Sequence, residues 1–402
     1  MELKLMPNAS RDKSQGRALL LTATAAMSIG PAYATDFNIT SPSTAAQTLG
    51  SGSGQTGSIQ STGSLTVSGT TVAVTISGNN ATLTNLGTLN QTGTGRAIRD
   101  NTGVTGATIT NGSTTNSAAL MQAADADVIQ MNKPASVTLN NYGTMTSLNA
   151  SKGGAQAVNF NAITSGNNII NNYSTGILQA RDADAVRPGV NGVVNNYGRI
   201  IATNTTDTGD DGIDGKTNTG ITINNFSGGS ITAARHGITG GPADGTTNFT
   251  TTINNSVGAS ITGNDGSGIN LDGFNAKQTA TIVNGGTIIG NGVTGDGDGI
   301  DVDGLINLTN TGTIKSLNAF SSTTPAQSEG VTVGGGTIIN SGTIEGDVAA
   351  GNTNAVGRGI TLGSYGMLIS GLGLLGVRGY RRRRNAPRAL VAPAHQAVAC
   401  AF

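Results

Sequence analysis

The chain has 402 residues, of which 62 are glycine, 11% are charged and 3% are aromatic, with no tryptophan. This composition argues against an α/β enzyme core, a coiled coil and a helical bundle, and the glycines lack the three-residue period of collagen. Ten of the 22 basic residues but only two of the 22 acidic ones lie in residues 1–34 and 364–402. The body therefore carries 12 basic and 20 acidic residues, and a negative surface predicts no binding to nucleic acid.

The first 34 residues have the order of a secretory signal peptide. Four basic residues precede an apolar run over residues 18–29, and an Ala-x-Ala sequence ends at Ala34. This pattern predicts export with cleavage after Ala34, in preference to a buried N-terminal helix. The single cysteine, Cys400, leaves no possibility of an intrachain disulfide. The exported chain must be stabilised in another way.

Residues 35–79 are less regular, and we expect them to form imperfect coils that cap the N-terminal end of the repeats. From residue 80 to residue 363 a motif of the form aliphatic-x-Asn recurs every 24 to 31 residues, about 28 on average. An aliphatic residue stands two positions before every one of these asparagines, which are Asn85, Asn111, Asn141, Asn172, Asn196, Asn225, Asn255, Asn284, Asn310 and Asn340.

A second motif alternates with the first at the same period, and it places an aliphatic residue between a small residue and a polar one. Val128 is the one exception to the small residue. Its ten aliphatic residues are Ile98, Ile129, Val158, Val186, Ile213, Ile238, Ile269, Ile300, Val331 and Ile360. Two columns in register predict an all-β chain, a right-handed parallel β-helix of about ten coils with both aliphatic columns pointing inward. Stacked asparagines can then form an amide ladder.

Three of the units are Val137-Thr138-Leu139-Asn140-Asn141-Tyr142-Gly143, Val194-Asn195-Asn196-Tyr197-Gly198-Arg199-Ile200 and Leu308-Thr309-Asn310-Thr311-Gly312-Thr313-Ile314. Over about residues 60–363 they resemble the passenger repeats of autotransporter proteins. That resemblance implies a β-helix displayed on the outer surface of a bacterium, often as an adhesin. It departs from the family at its end, because only 39 residues follow Gly363 and an autotransporter ends in a much longer membrane β-barrel.

The C-terminal end begins with an apolar stretch over residues 367–377, followed by Arg378 and by the arginines of 381–384. Residues 364–384 resemble the PEP-CTERM tails that sort exported bacterial proteins, although Thr361-Leu362-Gly363 stands where Pro-Glu-Pro is expected. The resemblance implies a sorting or anchoring segment, and we expect contact with a membrane only there. Eleven apolar residues are fewer than the roughly 20 of a membrane-spanning helix. We expect residues 385–402 to be a disordered tail.

Two sets of polar residues are candidates for chemistry. Carboxylates between glycines suit a hard cation such as calcium, although no EF-hand or nonapeptide spacing is present. We favour solvated corner acids over calcium for this set, which is Asp296, Asp298, Asp301 and Asp303. The other set lies two residues before the second-motif aliphatics, in a column that reads Arg96, Asp127, Gln156, Asp184, Asp211, His236, Ser267, Asp298, Glu329 and Arg358.

Stacking one coil per step would make Asp184, Asp211 and His236 near neighbours in this column. Polysaccharide lyases and glycoside hydrolases need paired carboxylates and a base, which His236 could provide at neutral pH. The alternative interpretation is that the column faces solvent, where polar residues are expected without any catalytic role. Four successive coils also place an aromatic residue directly after the repeat asparagine, and these are Tyr142, Tyr173, Tyr197 and Phe226. They can form a buried ladder, which we favour, or an exposed stripe for stacking on sugars.

The sequence thus favours an exported protein of the cell surface, outer membrane or extracellular space that acts as a non-enzymatic adhesin-like scaffold. We expect no cofactor, and we expect corner loops such as 204–220 and 320–330 to contact a host or matrix surface, possibly a polysaccharide. A β-helix polysaccharide lyase or glycoside hydrolase is the alternative. Uniform short coils favour the scaffold, because they leave few insertions long enough to wall a cleft.

Overall fold

The computed structural model describes residues 37–50, 52–150, 154–204, 210–244, 246–273, 277–292, 297–318, 327–348 and 356–362. The predicted signal peptide and the segments 364–384 and 385–402 lie outside these residues. Within them every regular element is a β-strand, and all the strand pairings are parallel and join one coil to the next. The chain is therefore a parallel β-solenoid, as the repeats predict. No helix long and apolar enough to span a membrane occurs in the described ranges.

Each coil contributes one strand to each of three faces. From β7 onward the strands of the first face end at the repeat asparagine. The strands of this face are β1 (Phe37–Ile39), β4 (Thr56–Ile59), β7 (Thr82–Asn85), β10 (Ala107–Asn111), β13 (Val137–Asn141), β16 (Ile169–Asn172), β19 (Val193–Asn196), β22 (Ile221–Asn225), β25 (Phe249–Asn255) and β28 (Gln278–Asn284). The second face follows after a tight corner that contains a glycine in most coils. Its twelve strands are β2 (Pro42–Ser43), β5 (Ser64–Val67), β8 (Thr88–Gln91), β11 (Leu120–Ala123), β14 (Thr144–Ser147), β17 (Ile177–Ala180), β20 (Arg199–Ala202), β23 (Ser230–Ala233), β26 (Ser260–Gly263), β29 (Thr287–Gly290), β31 (Thr313–Ser316) and β33 (Thr343–Gly346).

The third face carries the second aliphatic motif. Its strands are β3 (Gln47–Leu49), β6 (Val74–Ile76), β9 (Ile98–Asp100), β12 (Ile129–Met131), β15 (Val158–Asn159), β18 (Val186–Arg187), β21 (Ile213–Asp214), β24 (Ile238–Gly240), β27 (Ile269–Leu271) and β34 (Val356–Leu362). Near the C-terminal end the corner between the third and first faces disappears. There, single strands run through both faces, with a register shift between Val302 and Leu305, and they are β30 (Ile300–Asn310) and β32 (Gln327–Asn340).

The core is a stack of aliphatic side chains from all three faces. Every first-motif aliphatic, from Leu83 to Ile338, is at most 8% exposed. Nine of the second-motif aliphatics are at most 1% exposed, while the last of them, Ile360, is only partly buried. The second face adds a third inward column of leucine, methionine and isoleucine, such as Leu89, Met121 and Ile288. The inward orientation of both predicted columns is therefore confirmed.

The repeat asparagines form a continuous ladder inside the corner between the first and second faces. Each Nδ2 donates to the Oδ1 of the next asparagine over nine steps, at 2.7 to 2.9 Å. Each Nδ2 also donates to a second-face carbonyl of the following coil, as Asn225 does to Ser260 at 2.9 Å. The ladder thus satisfies buried polar groups and ties each coil to the next. It begins at Asn85, whose Oδ1 is buried without a partner because Ile59 occupies this position in the preceding coil.

Candidate functional site

The polar column lies at the corner between the second and third faces, and it is buried. Seven of its members are at most 4% exposed: Asp127, Gln156, Asp184, Asp211, Ser267, Asp298 and Glu329. The interpretation of this column as an outward-facing one is therefore wrong. Strand alternation cannot be extended into this corner, because the polar residue precedes the strand and the chain bends there.

The reason for the burial is that the side chains cap backbone amides of the next coil. Asp127 Oδ1 accepts the backbone N–H of Gln156 at 2.9 Å. The same arrangement joins the column in four more steps, at 2.9 to 3.2 Å: Asp184 to Asp211, Asp211 to His236, His236 to Ser267 and Asp298 to Glu329. A corner turns a backbone N–H away from its strand ladder, and a buried N–H without an acceptor is costly. The column supplies that acceptor from the coil before.

Asp184, Asp211 and Asp214 form the one group of three potential metal ligands in the part of the chain that the structure describes. An oxygen of each lies within 4.8 Å of an oxygen of the other two, and all three residues are buried. Each carboxylate also has a cationic partner. Arg187 Nη2 lies 2.6 Å from Asp184, Arg235 Nη2 lies 2.5 Å from Asp211, and the ammonium of Lys216 contacts Asp214.

Three cations thus balance three carboxylates in this cluster. Burial raises the pKa of Asp211 and of Asp214, and the neighbouring charge of Asp184 raises both further, while Arg235 and Lys216 act in the opposite direction. Carboxylates that are already paired with cations and hydrogen-bonded to backbone amides have few lone pairs left for a metal ion. The arrangement is that of a buried ion-pair network, which holds adjacent coils together when all of its members are present.

His236 does not point at the carboxylates that were predicted to be its partners. Its backbone N–H binds Asp211, but its ring extends toward the following coil, where Nδ1 accepts the Ser267 N–H at 2.9 Å. Burial, and then the charge of Arg235, lower the pKa of His236 to about 3. The ring is therefore neutral at physiological pH, with its proton on Nε2 and its lone pair on Nδ1 already used. A general base needs a free lone pair and a pKa near the working pH.

The structure thus brings Asp184 and Asp211 together, while the His236 ring lies on the other side of its own coil. The cations Arg187 and Lys216 of this cluster were not predicted from the sequence. Their signal was present, since Arg187 and Asp214 each lie three residues after an aspartate of the column and Lys216 lies two residues after Asp214. Arg187 and Asp214 end strands β18 and β21, and Lys216 follows β21, so these side chains can reach back to the corner.

The predicted calcium candidates do not converge. Asp298 is turned into the corner, where Oδ1 accepts the Glu329 N–H at 3.1 Å. Asp301 and Asp303 are half-buried on β30, and burial together with the charge of Asp272 raises the pKa of Asp303. Asp296 lies outside the described residues. None of the three described candidates belongs to a group of three potential ligands in the described ranges.

The four aromatic residues form one stack along the corner between the first and second faces. Their ring centroids are 4.0, 6.4 and 4.3 Å apart, with planes inclined by 4 to 9°. The stack is at the surface rather than in the core, since Tyr197 is 39% exposed and the other three are half-buried. In the two close pairs, Tyr142 with Tyr173 and Tyr197 with Phe226, each ring covers a face of its partner, so these faces are not open to solvent. Stacking on sugars would require open ring faces.

An outer asparagine ladder runs beside this stack, and sequence reasoning missed it. Four hydrogen bonds of 2.8 to 2.9 Å join its members, which precede the inner-ladder asparagines by one residue: Asn140, Asn171, Asn195, Asn224 and Asn254. Each bond runs from the later coil to the earlier one, opposite to the inner ladder. The repeated Asn-Asn pairs were the available signal.

Comparisons with protein-family models, curated proteins and solved structures give no match for this chain.

Proposed function

We propose that the chain is an exported, surface-displayed β-helical scaffold that makes adhesive contacts and does not catalyse a reaction. The observation that carries this proposal is that side chains of the polar column cap backbone amides of the next coil. The residues with acid-base chemistry, Asp184, Asp211 and His236, are hydrogen-bonded to backbone amides of the following coil. Groups used in this way stabilise the solenoid, and they are not arranged around a space that a substrate would occupy.

The corner between the second and third faces is the part of the scaffold that we propose for adhesion. Connections of very different length leave the second face there, from the three residues between β2 and β3 to the ten between β20 and β21. Exposed Asp125 lies at this corner, and acidic side chains recur along it. The longest connections between the described strands, of ten residues, all lie at this corner. Insertions on one side of a solenoid often form its binding face.

The test compares binding with catalysis on the same preparation. Purified protein is incubated with acidic and neutral polysaccharides and with immobilised cell-surface material, and reducing ends and retained protein are both measured. His236→Asn is the informative variant, because the asparagine Oδ1 can still accept the Ser267 N–H while the imidazole is lost. We expect retention on surfaces and no depolymerisation by either protein.

A matched pair of variants locates the contact. Replacing residues 205–209 with glycine and serine should weaken retention, while Thr232→Ala on the second face should leave it unchanged. Depolymerisation by the parent that disappears in folded His236→Asn would overturn the proposal in favour of a polysaccharide-cleaving enzyme.

A further inference from the structure

The C-terminal end of the described solenoid is an open edge. The last members of four inward columns are more exposed than the residues that precede them. Ile338 is 8% exposed and Leu362 is 51% exposed, whereas Leu308 and Val333 are at 1% and 2%. Ile344 and Ile360 are likewise only partly buried. Apolar side chains that lie inside every earlier coil therefore face outward along the axis here.

Among the described residues, the last asparagine of the inner ladder also lacks a hydrogen bond to a following coil. Asn340 accepts from Asn310 at 2.7 Å, but among the described residues its Nδ2 donates only to the nearby carbonyl of Gly342, at 3.3 Å. Every earlier ladder asparagine donates to a group in the next coil. Unpaired strand edges with exposed apolar residues promote association with another strand. A further coil would remove both the apolar exposure and the unpaired edge.

The sequence that follows the edge repeats the sequence of the last coil. In the paired strands β32 and β34, Val331 is opposite Ile360, an offset of 29 residues. At the same offset, residues 331–342 read VTVGGGTIINSG and residues 360–371 read ITLGSYGMLISG. Ile338 then corresponds to Met367, Ile339 to Leu368 and Asn340 to Ile369, and the corner pair Ser-Gly recurs. In both segments the third-face aliphatic residue precedes the first-face one by seven residues, from Val331 to Ile338 and from Ile360 to Met367.

We propose that residues 364–374 dock on this open edge as a further coil and cap the solenoid. In that coil Met367 would lie over Ile338, Leu368 would face solvent beside Ile339, and Ile369 would end the asparagine ladder. The other end of the ladder has the same arrangement, since Ile59 lies opposite Asn85 and is fully buried. The apolar run then has a structural role at the end of the rod, independent of any role in sorting.

Cysteine pairing tests the register directly. The full chain carries Cys400→Ser, and Ile339→Cys is combined either with Leu368→Cys or with Ile369→Cys. Adjacent parallel strands lie about 4.8 Å apart, within the Cα separation of about 4.4 to 6.8 Å that a disulfide allows. The 339–368 pair places both side chains on the outer face, whereas the 339–369 pair places them on opposite faces. We expect an intramolecular disulfide in the first variant and free thiols in the second.

A different occupant of the edge would give a different result in the cysteine experiment. A disulfide between two chains would indicate that a second copy covers the edge, and would overturn the proposal. Equal cross-linking of both pairs, or none in either, would also overturn it. A second pair of variants is independent of thiol chemistry: Met367→Asp should lower the unfolding midpoint of the last coils, and Leu368→Asp should not. Equal effects of the two substitutions would contradict the predicted alternation.

Discussion

Removing one inner-ladder asparagine should destabilise the solenoid far more than removing its outer neighbour. Asn225 donates to Asn255 Oδ1 and to the Ser260 carbonyl, both at 2.9 Å, and accepts from Asn196 at 2.8 Å. Asn225→Ala removes these three buried bonds and leaves the Asn255 oxygen without its donor. At about 1 kcal/mol for each bond and a further 1 to 2 for the orphaned oxygen, the free energy of unfolding should fall by about 4 to 5 kcal/mol.

Asn224→Ala is the matched control, because the residue is adjacent on the same strand and also makes two ladder bonds, at 2.8 and 2.9 Å. Its side chain is half-buried, so water can replace the lost partners, and we expect a loss of at most about 1 kcal/mol. Equilibrium unfolding in urea measures both, and hydrogen exchange shows whether the loss is centred on the coils of Asn225. Equal destabilisation by the two substitutions would refute the assignment of stability to the inner ladder.

Three further changes test other parts of the molecule. Asn168→Leu should raise the melting temperature, because both amide atoms of Asn168 are buried without a partner, and a lower value would contradict this. Gly268→Ala should destabilise by about 1 to 3 kcal/mol, since its Cβ would lie 2.6 Å from Ile288 Cγ2 and 2.7 Å from the Gly299 oxygen; unchanged stability in urea would contradict the close packing. His236→Asn should match the parent at pH 7 and become relatively more stable as the pH falls from about 6.5 to 3. In that range the unfolded parent binds a proton that the folded ring, with its pKa lowered to about 3, does not, so parallel stability curves would refute the lowered pKa.

The repeats predicted the solenoid because periodic patterning is a property of the chain itself. An aliphatic residue two positions before each asparagine fixes the strand face, and one asparagine per coil fixes the register. Leu139 and Ile170 are therefore paired as expected, and Asn141 bonds Asn172. The interior of a solenoid is defined by its nearest neighbours, so local sequence is enough to specify it.

The polar column could not be assigned in the same way, because its environment depends on how the backbone bends at a corner. Asp211 and His236 are the residue types of a reactive pair, and only the structure shows that the Asp211 side chain binds the backbone of His236. A clue was nevertheless present in the residue types. From Asp127 to Glu329 every member carries a hydrogen-bond acceptor, and arginine appears only at the two ends, Arg96 and Arg358. If the column faced solvent, lysine, which has no hydrogen-bond acceptor, would be acceptable at each of its positions.

The single direction of the inner ladder has a consequence for how such a gene can change. Each coil of 24 to 31 residues receives one amide hydrogen from the coil before it and gives one to the coil after it. Duplicating or deleting the stretch between two ladder asparagines therefore leaves no amide unmatched at the junction. Recombination among the repeats can lengthen or shorten the rod in steps of about 4.8 Å, and the reach of the molecule becomes a quantity that selection can adjust without redesigning the core.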